Sequence, residues 1–173
     1  MPPSRVPKKR VHLTPEEKVE VSVEIAGFIE MVNSTILAEE NPELAEAYTM
    51  NLDRFMRRPS KTSLDSARRV MRGWSAEERN WVTANELGHP GLVNSGVGGF
   101  LLEKDAMTAL GIGRATLRKV ATSKGDGLRL YDPFELAEVK NHPTVTKARA
   151  LIHRRNNPPR PSALERISGK DLF

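Results

Sequence analysis

The chain has 173 residues, of which 38% are hydrophobic, 5% aromatic and 28% charged, with a net charge of +5 and no cysteine. That size supports about one domain, or one small domain with helical extensions, and the balance describes a helix-leaning chain with much exposed surface rather than a disordered one. It excludes disulfides and thiolate metal sites, and no apolar run approaches the roughly 20 residues needed to span a bilayer.

The start of the chain, "MPPSRVPKKR", is charged but has no apolar signal core behind it, so the sequence predicts a cytoplasmic, nucleoid-associated protein with no membrane partner. His12, His89, His142 and His153 are too scattered for zinc spacing, and neither metal nor cofactor is expected. Charge is distributed in blocks: residues 15–53 hold ten acidic and one basic side chains, 54–72 seven basic and one acidic, and 100–155 eleven basic and six acidic. An acidic segment set between basic ones points to an acidic module joined to a basic one, not to uniform coating of a polyanion.

Residues 1–13 read as a basic flexible arm. Lys8, Lys9 and Arg10 either keep an unpacked end in solution or follow phosphates into a minor groove, as arginine-rich extensions do; the segment also partly matches a nuclear-import signal. Residues 14–87 read as a helical region. "TPEE" at Thr14–Glu17 is a capping box, and Val19, Val23, Phe28, Ile29, Val32, Ile36 and Leu37 recur at helical steps to about Ala38. Asn41 and Pro42 open a second helix with Leu44, Tyr48, Leu52 and Phe55 on one stripe, ending at Pro59. The pair predicts an antiparallel hairpin whose acidic outside is a solvated face or whose apolar stripe, within 14–58, makes a homodimer. A third helix is expected over Leu64–Arg72 and a fourth from Ser75, capped with Glu78 and carrying Trp81 and Leu87 inward. Trp74 and Trp81 read as core or docking residues.

Residues 88–99 are rich in glycine and read as a linker; "GVGG" lacks the lysine and Ser/Thr of a phosphate loop. The next segment, 100–155, carries the functional signal. In "EKDAMTALGIGRATLRKVA" two short apolar-periodic runs flank Gly111-Ile112-Gly113, which predicts helices over 103–110 and 114–121 joined by a turn at Gly111. Leu110, Ile112, Leu117 and Val120 fall inside. Arg114, Thr116, Arg118 and Lys119 are left on the exposed side of the second helix, where such a helix meets base edges and phosphates. A Gly125-Asp126-Gly127 turn, a strand over Leu128–Tyr131, and a helix capped by Asp132 with Pro133 follow. A last helix is expected over Thr144–Arg155, with Val145, Ala148, Leu151 and Ile152 inward and Lys147, Arg149, Arg154 and Arg155 outside. Residues 156–173 read as a proline-rich tail.

With "LLEKDAMTALGIGRATLRKVA" followed by "GLRLYDPFELAEV", residues Leu101–Val139 resemble the small winged-helix domains of the excisionase and MerR type. The resemblance implies that Arg114, Thr116, Arg118 and Lys119 enter the major groove while Lys124 and Arg129, on the wing, take the flanking backbone or minor groove. Where the family usually has alanine, four residues before the turn glycine, this chain has Met107, with the alanine displaced to Ala106. The fold expected is therefore mainly α: an N-terminal helical hairpin or bundle plus a small winged helix-turn-helix domain with a short β wing. No serine, histidine and carboxylate are grouped for catalysis, so neither an enzyme nor a small-molecule substrate is expected. The function expected is sequence-specific binding of double-stranded DNA by a transcription regulator or excisionase-like accessory factor of phage, plasmid or other mobile DNA. The alternative is a non-catalytic structural or interaction protein, such as a phage or host-binding component, whose basic domain binds RNA or a partner.

Overall fold

A computed structural model describes residues 12–93 and 96–160; Lys8, Lys9, Arg10 and most of the proline-rich tail lie outside them. Among the described residues the chain is mainly helical, with eight α-helices and one two-stranded antiparallel sheet. None of those helices is long and apolar enough to cross a membrane. Two compact units meet in the sequence between Glu78 and Arg79.

The first unit begins with α1 (Pro15–Asn33), whose start is the expected capping box. The Glu17 amide donates to Thr14 Oγ1 at 3.2 Å, and the Thr14 amide donates to Glu17 Oε2 at 3.0 Å. The helix does not reach residue 38. Ser34 Oγ donates to the Met31 carbonyl at 2.8 Å and Thr35 Oγ1 to the Val32 carbonyl at 2.7 Å. These short side chains take over acceptors at the end of the helix, as serine and threonine do when they compete with the backbone ladder. Thr35 then caps a separate short helix, α2 (Ile36–Glu40), and Asn41 caps α3 (Pro42–Arg57).

Helices α1 and α3 pack together, but the buried face of α1 is Val21, Ile25 and Val32, not the face of Val19 and Val23, which are 63% and 66% exposed. Counting steps from Val19 sets the phase wrongly at the start of the helix, where both faces carry valine. On α3 the expected stripe holds, with Leu52 fully buried and Leu44, Tyr48 and Phe55 half-buried.

One continuous helix, α4 (Lys61–Asn85), replaces the two expected over 64–72 and from 75, so Ser75 caps nothing. It starts early because Ser60 and Ser63 cap each other: each backbone amide donates to the other's hydroxyl, at 2.6 and 3.0 Å. Gly73 is a packing position and not a break. A Cβ there would stand 3.3 Å from the Tyr48 hydroxyl, and the Tyr48 ring meets buried Trp74 edge-on at 5.1 Å between centroids. Burial, then the charge of Glu77 and a hydrogen bond to it, raises the Tyr48 hydroxyl above its ordinary value of 10.0.

The second unit contains the end of α4, two single 3-10 turns (Pro90–Leu92 and Val97–Gly99), β1 (Leu101–Leu102), α5 (Glu103–Leu110), α6 (Arg114–Val120), β2 (Leu130–Tyr131), α7 (Pro133–Val139) and α8 (Pro143–Asn156). Residues 88–93 and 96–99, expected as linker, belong to this unit. Leu87 is buried, and Arg79 donates to the Gly98 carbonyl at 2.9 Å while its guanidinium lies 3.9 Å from the centre of the Phe100 ring. The core centres on Leu101, Ala106, Leu110, Leu117, Tyr131 and Leu136. Trp81, expected inward, is only half-buried. The strand expected over 128–131 shortens to two residues and pairs with β1, Leu101 opposite Tyr131 and Leu102 opposite Leu130.

At the end of α5, Gly111 adopts φ 64°, ψ 37°, and the Ile112 amide donates back to the Met107 carbonyl at 3.2 Å. A left-handed residue closing a helix in this way is the position glycine fills without strain. Gly111→Ala is expected to cost about 1–2 kcal/mol of stability, read as a lowered thermal midpoint without loss of helix content.

Candidate functional site

The Gly111 turn and buried Ile112 fix where α6 begins, and Gly113 accepts the Leu117 amide at 3.0 Å as the helix opens. Leu117 is fully buried and Val120 half-buried, which orients this seven-residue helix. Arg114, Arg118 and Lys119 are left exposed and Thr116 half-buried. At the preceding helix, Ala106 is fully buried and Met107 partly exposed, so the displaced alanine supplies the small residue in the core.

The arginines are brought to one place by a residue that the sequence did not single out. Glu103, the first residue of α5, keeps only 14% of its side chain exposed. Its Oε1 lies 2.7 Å from Arg114 Nε and 3.1 Å from Arg118 Nη2, and its Oε2 lies 3.5 Å from Arg129 Nε. Two arginines from α6 and one from the loop before β2 thus share a single carboxylate, leaving a local excess of two positive charges. The signal for Glu103 is weak, because an acidic residue in the first turn of a helix already has an explanation in the helix dipole. Its partners lie 11, 15 and 26 residues away, which no local pattern links.

The three arginine side chains remain 66%, 43% and 50% exposed. Taken singly, ion pairs to side chains this open to water are worth about 0–1 kcal/mol, but the carboxylate itself is largely buried, so stripping it of all three partners would leave an uncompensated charge and the cluster holds together. Lys124 stands apart from this cluster. Its ammonium lies 3.2 Å from Glu135 Oε2, and Glu135 Oε1 accepts the Thr122 amide at 2.9 Å. The turn that carries Lys124 is closed by its own amide donating to the Leu130 carbonyl at 2.7 Å. Gly125 is required there, since a Cβ would collide with the Leu128 carbonyl oxygen. Lys119 makes no ion pair among the described residues.

Two expectations for α8 need amending. Arg149 is exposed as expected, but it is not a spare cation: its Nε donates to the Leu110 carbonyl at 3.0 Å and its Nη2 to the Lys140 carbonyl at 3.3 Å, so it satisfies the open end of α5. Leu151, expected inward, is 57% exposed, because only the first turns of α8 reach the core through Val145 and Ala148. Comparison with known protein families, with curated proteins and with solved structures finds no match to this chain.

Proposed function

We propose that the second unit is a non-catalytic winged helix-turn-helix domain for duplex DNA, with α6 as the helix that enters the major groove. Arg114, Thr116, Arg118 and Lys119 face the bases and adjacent phosphates, and the loop carrying Lys124 and Arg129 follows the flanking backbone as the wing. The observation that carries this reading is the convergence of Arg114, Arg118 and Arg129 on Glu103, which joins the exposed side of α6 and the loop into a single cationic surface. The role proposed is sequence-specific regulation of transcription, or of a recombination or replication event on mobile DNA, in the cytoplasm at the nucleoid. Lys8, Lys9 and Arg10 would add contacts to phosphates or the minor groove.

The test is a titration of duplex DNA over a range of salt. Changing Lys124 and Arg129 together to alanine is expected to weaken binding to all sequences alike and to flatten the slope of log affinity against log salt by about 1.8 units, roughly 0.9 for each phosphate that is no longer neutralised. Unchanged affinity for unrelated duplexes, with weaker binding to one sequence alone, would remove the wing assignment.

A second reading concerns the acidic first unit. Val19, Val23, Met31, Ile36 and Met50 are each more than half exposed, and they favour a protein partner for this unit. The occupant proposed is a second copy, docked through residues 14–58. A dimer would place two reading helices on half-sites about one helical turn apart, or a multiple of it, in a nearly palindromic target. Sedimentation at micromolar concentration is expected to give a dimer on DNA; a monomer both free and bound would exclude it.

A further inference from the structure

We infer that Glu103 is a specificity-determining residue that acts as an internal counter-ion, restraining Arg114, Arg118 and Arg129 from binding phosphates indiscriminately. The inference deepens the duplex-DNA reading and rests on it. Arginines in the absence of an acid would take any phosphate within reach, and such interactions supply affinity without sequence information. Here Arg114 Nε and Arg118 Nη2 are both committed to Glu103, at 2.7 and 3.1 Å, and Arg129 Nε lies 3.5 Å from the second oxygen. The Glu103 side chain is largely buried, 14% exposed, while the three arginine side chains remain exposed.

This geometry has two effects on a passing polyanion. The negative charge repels it and lowers the number of counter-ions released per encounter, which weakens binding to every sequence. The same carboxylate orients the guanidinium groups, so that their remaining N–H edges are presented in a fixed arrangement. A target that matches that arrangement keeps most of its hydrogen bonds, and one that does not gains less than it would from unrestrained arginines. Removal of Glu103 is therefore expected to increase affinity and decrease discrimination, the opposite of what removal of an ordinary DNA-touching residue does.

The experiment compares Glu103→Gln with Asp105→Asn, which makes the same change of charge two residues along α5 where no ion pair to these arginines exists. Each variant and the parent are run on heparin and titrated against random-sequence duplex and against a target duplex selected by the parent protein from a random-sequence library, with a thermal melt to establish folding. Glu103→Gln is expected to elute later from heparin than Asp105→Asn. It is also expected to bind random duplex roughly three- to tenfold more tightly than the parent and to steepen the salt slope by about 0.9, with a smaller gain on the target. Equal elution of the two variants would overturn the counter-ion role whatever happens on DNA. A heparin shift in the absence of duplex binding by any of the proteins would leave the counter-ion role standing and remove the DNA reading. If Glu103→Gln fails to fold, Glu103→Asp takes its place: it keeps the net charge and withdraws the carboxylate, so later elution than the parent supports the inference and elution with the parent overturns it.

Discussion

Leu117→Ala is expected to lower the unfolding free energy of the second unit by about 2–5 kcal/mol, the range for truncating a fully buried leucine in a core that only partly collapses. Leu117 has no exposed surface and belongs to the same cluster as Ala106, Leu110, Tyr131 and Leu136. It is also the residue that decides which side of α6 faces outward, so the cavity destabilises both the core and the placement of Arg114 and Arg118. A thermal or denaturant melt followed by circular dichroism gives the number. A cost below about 1 kcal/mol would mean that α6 is not seated as the structure has it.

The second large effect separates binding from folding. Arg114→Ala and Arg118→Ala each remove an exposed guanidinium and leave the inner face of α6 untouched, so the melting temperature is expected to move little. A bidentate arginine-to-guanine pair is worth roughly 1–3 kcal/mol, which corresponds to about a ten- to hundredfold weakening of affinity for the target duplex. Titration of target duplex beside a melt of each variant tests this. If both variants bind duplex as the parent does, α6 is a packed helix with a charged outside, and the interaction-protein reading replaces the DNA reading.

The parts of this molecule legible in its sequence are those determined by neighbours a few residues apart. Thr14 with Glu17, Asn41 with Pro42, and Asp132 with Pro133 announce helix starts, because a cap and its target amide are local chemistry. Gly111 announces the turn between α5 and α6 for the same reason. Misreadings arise where distant residues decide the outcome. The break expected between Arg72 and Ser75 is absent, because Gly73 there packs against the Tyr48 ring of another helix, which no local pattern reveals. Val19 and Val23 match a helical stripe as well as Val21 and Ile25 do, and only α3 packing against α1 chooses between the faces. The site divides along the same line. Arg114, Arg118, Lys119 and the loop cations are legible as exposed positive charge; the carboxylate joining three of them is not, since nothing in the spacing of residues 103, 114, 118 and 129 marks them as neighbours.

The pairing of β1 with β2 also bears on how the helix pair can vary. Two residues on each side, Leu101–Leu102 and Leu130–Tyr131, clasp the ends of a loop that contains all of α5 and α6. Closing a loop of roughly 28 residues costs about 3 kcal/mol plus a constant in chain entropy, and the clasp, with the core beneath it, offsets that cost. A peptide cut at residues 103 and 121 lacks the clasp and has no reason to keep the crossing of its helices. Inside the clasp the logarithm is forgiving: doubling the length of a closed loop adds only about 0.6 kcal/mol. Residues inserted between Ala121 and Leu130 would therefore extend the reach of the segment carrying Lys124 and Arg129 while leaving α5 and α6 in register.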